Sequence, residues 1–180
     1  MATNPYATPQ AELDSGLAEV TPVSWFSHHG RLGVLSYWGM AAVLTLAFLV
    51  IGGILGFVAM QVTGWSPSSA ESPPALMWLI LAPLLLIMIY VGICLAIKRL
   101  HDLNMVGWWV LLTLVPIVGM IFSIYLYFWP GKKTPNRFGG WRAAKGWEKV
   151  LGIIFMLLMV AGIALSFVAP MVMLGMGGGV

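Results

Sequence analysis

Six residues in this chain have the types and spacing to bind a ligand or move a proton: Arg31, Arg99, His101, Asp102, Asn136 and Arg137. Arg99, His101 and Asp102 fall in KRLHD, residues 98–102, and Asn136 and Arg137 in PGKKTPNRFG, residues 130–139. Arginine presents a planar fork of donors that matches phosphate oxygens. Grouped at a membrane interface, the six would form a polar pocket for a phosphate-bearing head group. Acid–base chemistry is the other idea, because His101 precedes Asp102. Adjacent residues on a helix, however, do not face one another. No serine or cysteine lies in a nucleophile motif. His28, His29 and His101 are the only histidines, and no HExxH run is present. Neither an enzyme nor a metal or cofactor site is expected.

The same six residues have a plainer reading. If the helix that carries Lys98 continues, Lys98 and Asp102 are four apart and Arg99 and Asp102 three apart, on one face. Asp102 would then neutralise Arg99 or Arg31, while Asn136 and Arg137 cap backbone at a turn. Charges near a membrane need partners whatever their function. That requirement favours mutual satisfaction over an open pocket.

The elements that must position these residues are set by composition. Of 180 residues, 60% are hydrophobic and 8% charged, against about 25% charged in a soluble domain. With a mean hydropathy of +0.93, the expected class is an all-α, multi-pass helical membrane protein. Four apolar segments stand out, at about 33–62, 75–97, 107–129 and 150–173. Each reaches the roughly 20 residues that a helix needs to cross the hydrocarbon. Tyr37 and Trp38 stand near the start of the first, as interfacial aromatics do. Gly52 and Gly56 form a GxxxG step that points to close helix packing more than to dimerisation. Pro83 should bend the second segment, and the charges at residue 98 onward should end it.

Flanking stretches are polar. Residues 1–24 are proline-bearing, carry Glu12, Asp14 and Glu19, and read as a disordered tail. They lack the basic start and apolar core of a signal peptide. Thr63 to Pro74 is a turn-rich loop with Glu71 as its one charge. Residues 140–180 comprise a basic linker, the fourth segment and a glycine-rich end. Cys94 is the only cysteine, so no disulfide forms within the chain, and its apolar setting reads as a small buried hydrophobe.

Lys132, Lys133, Arg137, Arg142, Lys145 and Lys149 fall in one short run. Beside apolar helices such a run marks the cytoplasmic side or a contact with anionic lipid, not a nucleic-acid site. It also poses a topological question. If all four segments cross, the basic residues divide between the two sides, whichever way the chain is inserted. If residues 107–129 enter and leave on one side as a re-entrant helical hairpin, all nine basic residues are cytoplasmic, together with the N-terminus. Pro116 and Gly119 near the middle of that segment allow the turn. The charge rule favours the hairpin; a kinked but ordinary span is the competing model.

Three separated motifs, FSHHGRLGVLSYW (residues 26–38), RLHDLNMVGWW (residues 99–109) and PGKKTPNRFG (residues 130–139), resemble the bacterial inner-membrane family labelled domain of unknown function 805. The likeness covers about residues 25–139. Val34 stands where the family's GRxxR pattern has its second basic residue, and the fourth segment is an addition to the shorter family plan. The resemblance implies a small helical protein of the bacterial inner membrane and leaves its biochemistry open. The function expected from the residues is a non-enzymatic binding or interaction module whose basic face contacts anionic phospholipid or a partner protein. A small channel or transporter subunit, acting as an oligomer, is the alternative, because broken helices form transporter sites.

Overall fold

The computed structural model describes residues 24–177, with side chains described for residues 24–170. The expected disordered tail therefore lies outside the described residues, apart from Ser24, as does the chain end after Gly177.

Among the described residues the chain is all-helical, in the order α1 (Val34–Thr63), α2 (Ala75–Asp102), a 3-10 helix (Gly107–Leu114), α3 (Pro116–Phe128) and α4 (Gly146–Gly177). Three helices, α1, α2 and α4, are long and apolar enough to cross a membrane, and α3 is a shorter apolar helix. At most 22% of the apolar window in any of the three is buried within the protein. The leucines, isoleucines and valines left outside, such as Leu49, Ile54, Leu86 and Leu157, need hydrocarbon around them. This is a multi-pass helical membrane protein.

Helix α1 is the central element and packs against both α2 and α4. Its crossing with α4 is made by backbone contact. A Cβ added at Gly39 would lie 2.6 Å from the Glu148 carbonyl oxygen, and one added at Gly152 would lie 2.5 Å from that of Leu35. Without a hydrophobic driving force between helices in lipid, small residues that permit such approach hold them together. The GxxxG step at Gly52 and Gly56 does not make this crossing. A Cβ at Gly52 would only touch Leu84 at 3.5 Å, and one at Gly56 would meet nothing within 4 Å.

Two boundaries differ from the sequence reading. Helix α2 does not stop at residue 97 but runs on to Asp102. Arg99 and His101 in its last turn suit the negative end of the helix dipole, and Asn104, in the left-handed region at φ 60°, turns the chain out. Helix α4 begins four residues before residue 150 and continues through Pro170 to Gly177.

The 107–129 segment is two helices. Val115 adopts an extended conformation (φ −83°, ψ 119°), as the residue before a proline should, and Pro116 opens α3 at its first position. The break thus falls at Val115–Pro116, and Gly119 serves close approach instead: a Cβ there would sit 2.6 Å from the Thr113 carbonyl. The 3-10 helix packs on α2, and α3 folds back on the 3-10 helix, with Trp109 against Phe122 at 6.3 Å. Both ends of the segment return to the last turn of α2. Met105 donates a backbone hydrogen bond to the Leu100 carbonyl, and the Arg99 guanidinium donates to the Trp129 carbonyl.

Trp38 joins the pieces. It is 7% exposed, its indole donates to the Tyr127 carbonyl at 3.2 Å, and its ring meets Tyr127, Phe128 and Phe155. A small apolar core of Leu32, Met40, Val91 and Leu95 seals α1 against α2.

Candidate functional site

All six candidate residues lie at one end of the helix bundle, where α1 starts, α2 ends and the 130–139 loop crosses between them. Helix α2 brings Lys98 to Asp102 into that region because its last turn continues beyond the apolar stretch. The backbone N–H of Leu32 donates to the Lys98 carbonyl at 3.1 Å, which fixes Arg31 beside the same turn.

Asp102 is the hub. It is 3% exposed. One oxygen accepts from Arg31 at 3.2 Å and the other from Arg99 at 2.7 Å. Arg31 also donates to the carbonyls of Thr134 (2.8 Å), Gly139 (3.2 Å) and Lys132 (2.7 Å). The guanidinium therefore acts as a rivet through the 130–139 loop. Gly131 fits against Asp102 so closely that a Cβ would overlap the carboxylate. Lys98 is fully buried and turns away, donating to the Ser24 carbonyl.

His101 stacks on Phe138 at 3.9 Å, with its Nδ1 3.2 Å from the Gly30 carbonyl. Its ring is committed to packing and is not presented to Asp102. Asn136 donates to the His101 carbonyl at 2.8 Å and accepts from the Phe138 N–H at 2.9 Å. An isolated bridge between Asn136 and Gly139 closes that turn. Arg137 is exposed and donates to the Asn104 carbonyl at 2.9 Å. Two arginines against one carboxylate leave a buried surplus of one positive charge. Backbone carbonyls surround it: Trp129, Lys132, Thr134 and Gly139 all accept from the two guanidinium groups. The arrangement locks the loop to the helix ends, since a buried charge needs both a counter-charge and hydrogen bonds. Beside it, Asp102, Asn136 and Arg137 line an open polar cavity of about 500 Å³ under the same loop.

A second buried polar group was not singled out from sequence. Glu148, 2% exposed, accepts from Ser36 at 2.8 Å, from Arg142 at 2.9 Å and from the Lys145 N–H at 2.9 Å. It joins the start of α4 to the start of α1, directly above the Gly39 contact. The available signal was a lone acid within a basic run, in the first turn of an apolar helix, where a carboxylate suits the dipole. Its partner Ser36 carried no signal. No group of three or more metal-ligating side chains occurs among the described residues.

The remaining cations face outward at the same end. Lys132, Lys133, Arg137, Lys145 and Lys149 are exposed, and none forms an ion pair among the described residues. With Arg31, Lys98, Arg99 and Arg142 they account for all nine lysines and arginines of the chain. At the opposite end, the loop between α1 and α2 carries Glu71 alone.

Comparison with known proteins agrees with the motif likeness. The family described as "Protein of unknown function (DUF805)" matches residues 25–140. The inner membrane protein YhaH of Escherichia coli (strain K12) is 26% identical over 117 residues, spanning 64% of this chain and 87% of the relative. The inner membrane protein YhaI of the same strain is 29% identical over 110 residues, 61% of this chain and 80% of the relative. No solved structure matches. All six candidate residues fall inside the matched stretch, whereas Arg142, Glu148 and the whole of α4 lie beyond it. By the extent of that match, the chain belongs to the DUF805 family.

Proposed function

We propose that this chain is a non-enzymatic binding module of the bacterial inner membrane, with its basic end in the cytoplasm and in contact with anionic phospholipid head groups. One observation carries the reading: all nine lysines and arginines gather at one end of the bundle, and five of them are exposed without a carboxylate partner among the described residues. Basic residues flanking membrane helices stay on the cytoplasmic side, and each near an anionic surface adds about 1 kcal/mol of attraction. The relatives YhaH and YhaI are inner membrane proteins by name, in keeping with that location. On this reading the N-terminus is cytoplasmic, residues 107–129 are a re-entrant hairpin, and α4 carries the C-terminus to the far side.

Two measurements test it. Single cysteines at Lys145 and at Ser68, in a Cys94→Ala background, should react with an impermeant thiol reagent from opposite sides of the membrane. Lys145 should label from the cytoplasmic side only; labelling of Lys145 from outside overturns the hairpin with a cytoplasmic N-terminus, and the side from which Ser68 labels then tells which of the two parts fails. In nanodiscs, lipid recovered with the protein should be enriched in phosphatidylglycerol over the bulk, and the enrichment should fall as salt rises. Equal recovery of phosphatidylcholine and phosphatidylglycerol overturns the lipid reading.

The broken 107–129 element favours a second reading, a channel or transporter subunit. Solute or ion flux through liposomes that hold the protein, absent from empty ones, would establish it in place of the first.

A further inference from the structure

A second cavity, of about 330 Å³, opens between the start of α1, residues 130–133 and the linker that leads into α4. Its charged rim is Lys133, Arg142 and Lys149, and its wall is apolar, with Val34, Leu35 and Trp141 among the lining residues. One wall of the cavity comes from chain outside the family match, and the other, with Lys133, from chain inside it. Trp141, Arg142 and Lys149 all follow residue 140, where the match ends, and the bond from Ser36 to Glu148, with the close Gly39 and Gly152 contacts, holds them over residues 33–36.

The rim is positive on balance. Arg142 is paired with Glu148 at 2.9 Å, and Asp102, which also reaches the lining, is taken by Arg31 and Arg99. Lys133 and Lys149 have no carboxylate partner among the described residues. Lys133 is held over the Trp141 ring at 5.8 Å. A tryptophan beside lysines where an apolar helix begins is the composition of the membrane–water interface. A ligand suited to these walls has a negative head for the lysines and an apolar neck for the valine, leucine and indole.

We infer that the linker and α4 add to the family plan a cleft for a phosphate group, with Lys133 and Lys149 as its cationic contacts and Arg142 held ready by Glu148. The inference rests on the basic-face reading above and sharpens it from a surface to a site. Glycerophospholipid head groups and free phosphate share the recognised chemistry, and the test separates them.

The full chain in phosphatidylcholine nanodiscs is titrated with phosphatidylglycerol, and retained lipid is counted by native mass spectrometry. Lys133→Gln with Lys149→Gln should weaken retention of one phosphatidylglycerol per chain by roughly 30-fold, at about a tenfold factor per 1.4 kcal/mol and about 1 kcal/mol per lysine. Lys132→Gln with Lys145→Gln removes the same charge from the same end, but neither lysine lines the cleft, and it should weaken retention of that bound lipid clearly less than the cleft pair does. Equal losses in the two double variants overturn the cleft and leave the basic face standing. No loss in either, with no preference for phosphatidylglycerol, overturns both.

In the second arm, inorganic phosphate is added to delipidated protein and the unfolding temperature is followed. A rise abolished by Lys133→Gln with Lys149→Gln identifies free phosphate as an occupant. Absence of that rise, alongside cleft-dependent lipid retention, identifies the lipid head group. Absence of both responses overturns the inference.

Discussion

Replacing Asp102 by alanine should destabilise the protein by about 3–5 kcal/mol, the cost of leaving a buried pair broken. In thermal unfolding in detergent this amounts to a fall of about 10 °C, at the roughly 2–4 °C per kcal/mol of a chain this size. The reason is local. Arg31 and Arg99 are each at most 5% exposed and share Asp102 as their only carboxylate among the described residues. Without it, two guanidinium groups remain buried against carbonyl dipoles. Arg99→Ala should cost less, because Asp102 keeps Arg31. Arg31→Ala should also release the 130–139 loop, whose Lys132, Thr134 and Gly139 carbonyls it binds, and amide exchange there should accelerate. The double variant Arg31→Ala/Asp102→Ala should lose less than the sum of the singles, as contacting residues do. A loss below about 1 kcal/mol in Asp102→Ala would mean that the buried triad does not hold the loop.

Gly39→Ala should also be damaging, at about 1–3 kcal/mol, the usual range for forcing a methyl group into a packed contact. The added carbon would sit 2.6 Å from the Glu148 carbonyl oxygen and 2.8 Å from the Glu148 Cα. Backbone cannot rotate away as a side chain can, so α4 must lift from α1. The Ser36–Glu148 bond at 2.8 Å would stretch with it. Gly56→Ala is the matched control, since a Cβ there meets nothing within 4 Å. It should be neutral or gain up to about 1 kcal/mol from helix propensity. The measurement is the unfolding temperature of the two variants side by side. Equal effects would show that the α1–α4 contact does not depend on the small residue at Gly39.

These two results would also separate what could be read from the amino-acid order from what could not. Apolar runs of 20 residues or more announce helices whatever surrounds them, because in lipid every backbone group must be satisfied within its own segment. Helices α1, α2 and α4 were legible for that reason, to within a few residues at each end. Pro116 marked the break in 107–129, because a proline restricts the residue before it as well as its own backbone. The i,i+3 spacing of Arg99 and Asp102 placed them on one face once α2 was allowed to continue.

Pairing across distance was not legible in the same way. Gly52 and Gly56 carry the better-known spacing, yet Gly39 and Gly152, far apart in the chain, make the tight crossing. Which glycine is used depends on the angle and register at which α1 meets α4, and neither helix encodes that alone. Ser36 and Glu148 illustrate the same limit: a serine in an apolar helix and a glutamate in a basic run gain meaning only when the helices align.

Local sequence therefore determined the membrane class, the number of apolar elements and the polar residues that had to find partners. Tertiary structure decided which partners they found. Asp102 takes both Arg31 and Arg99, Arg31 also donates to the 130–139 loop, and Lys133 and Lys149, without a carboxylate partner among the described residues, line the cleft beside Trp141. Periodicity and hydropathy act over one turn or one segment, whereas the neutralisation of a buried charge is settled by whichever groups the packed helices bring within hydrogen-bond reach.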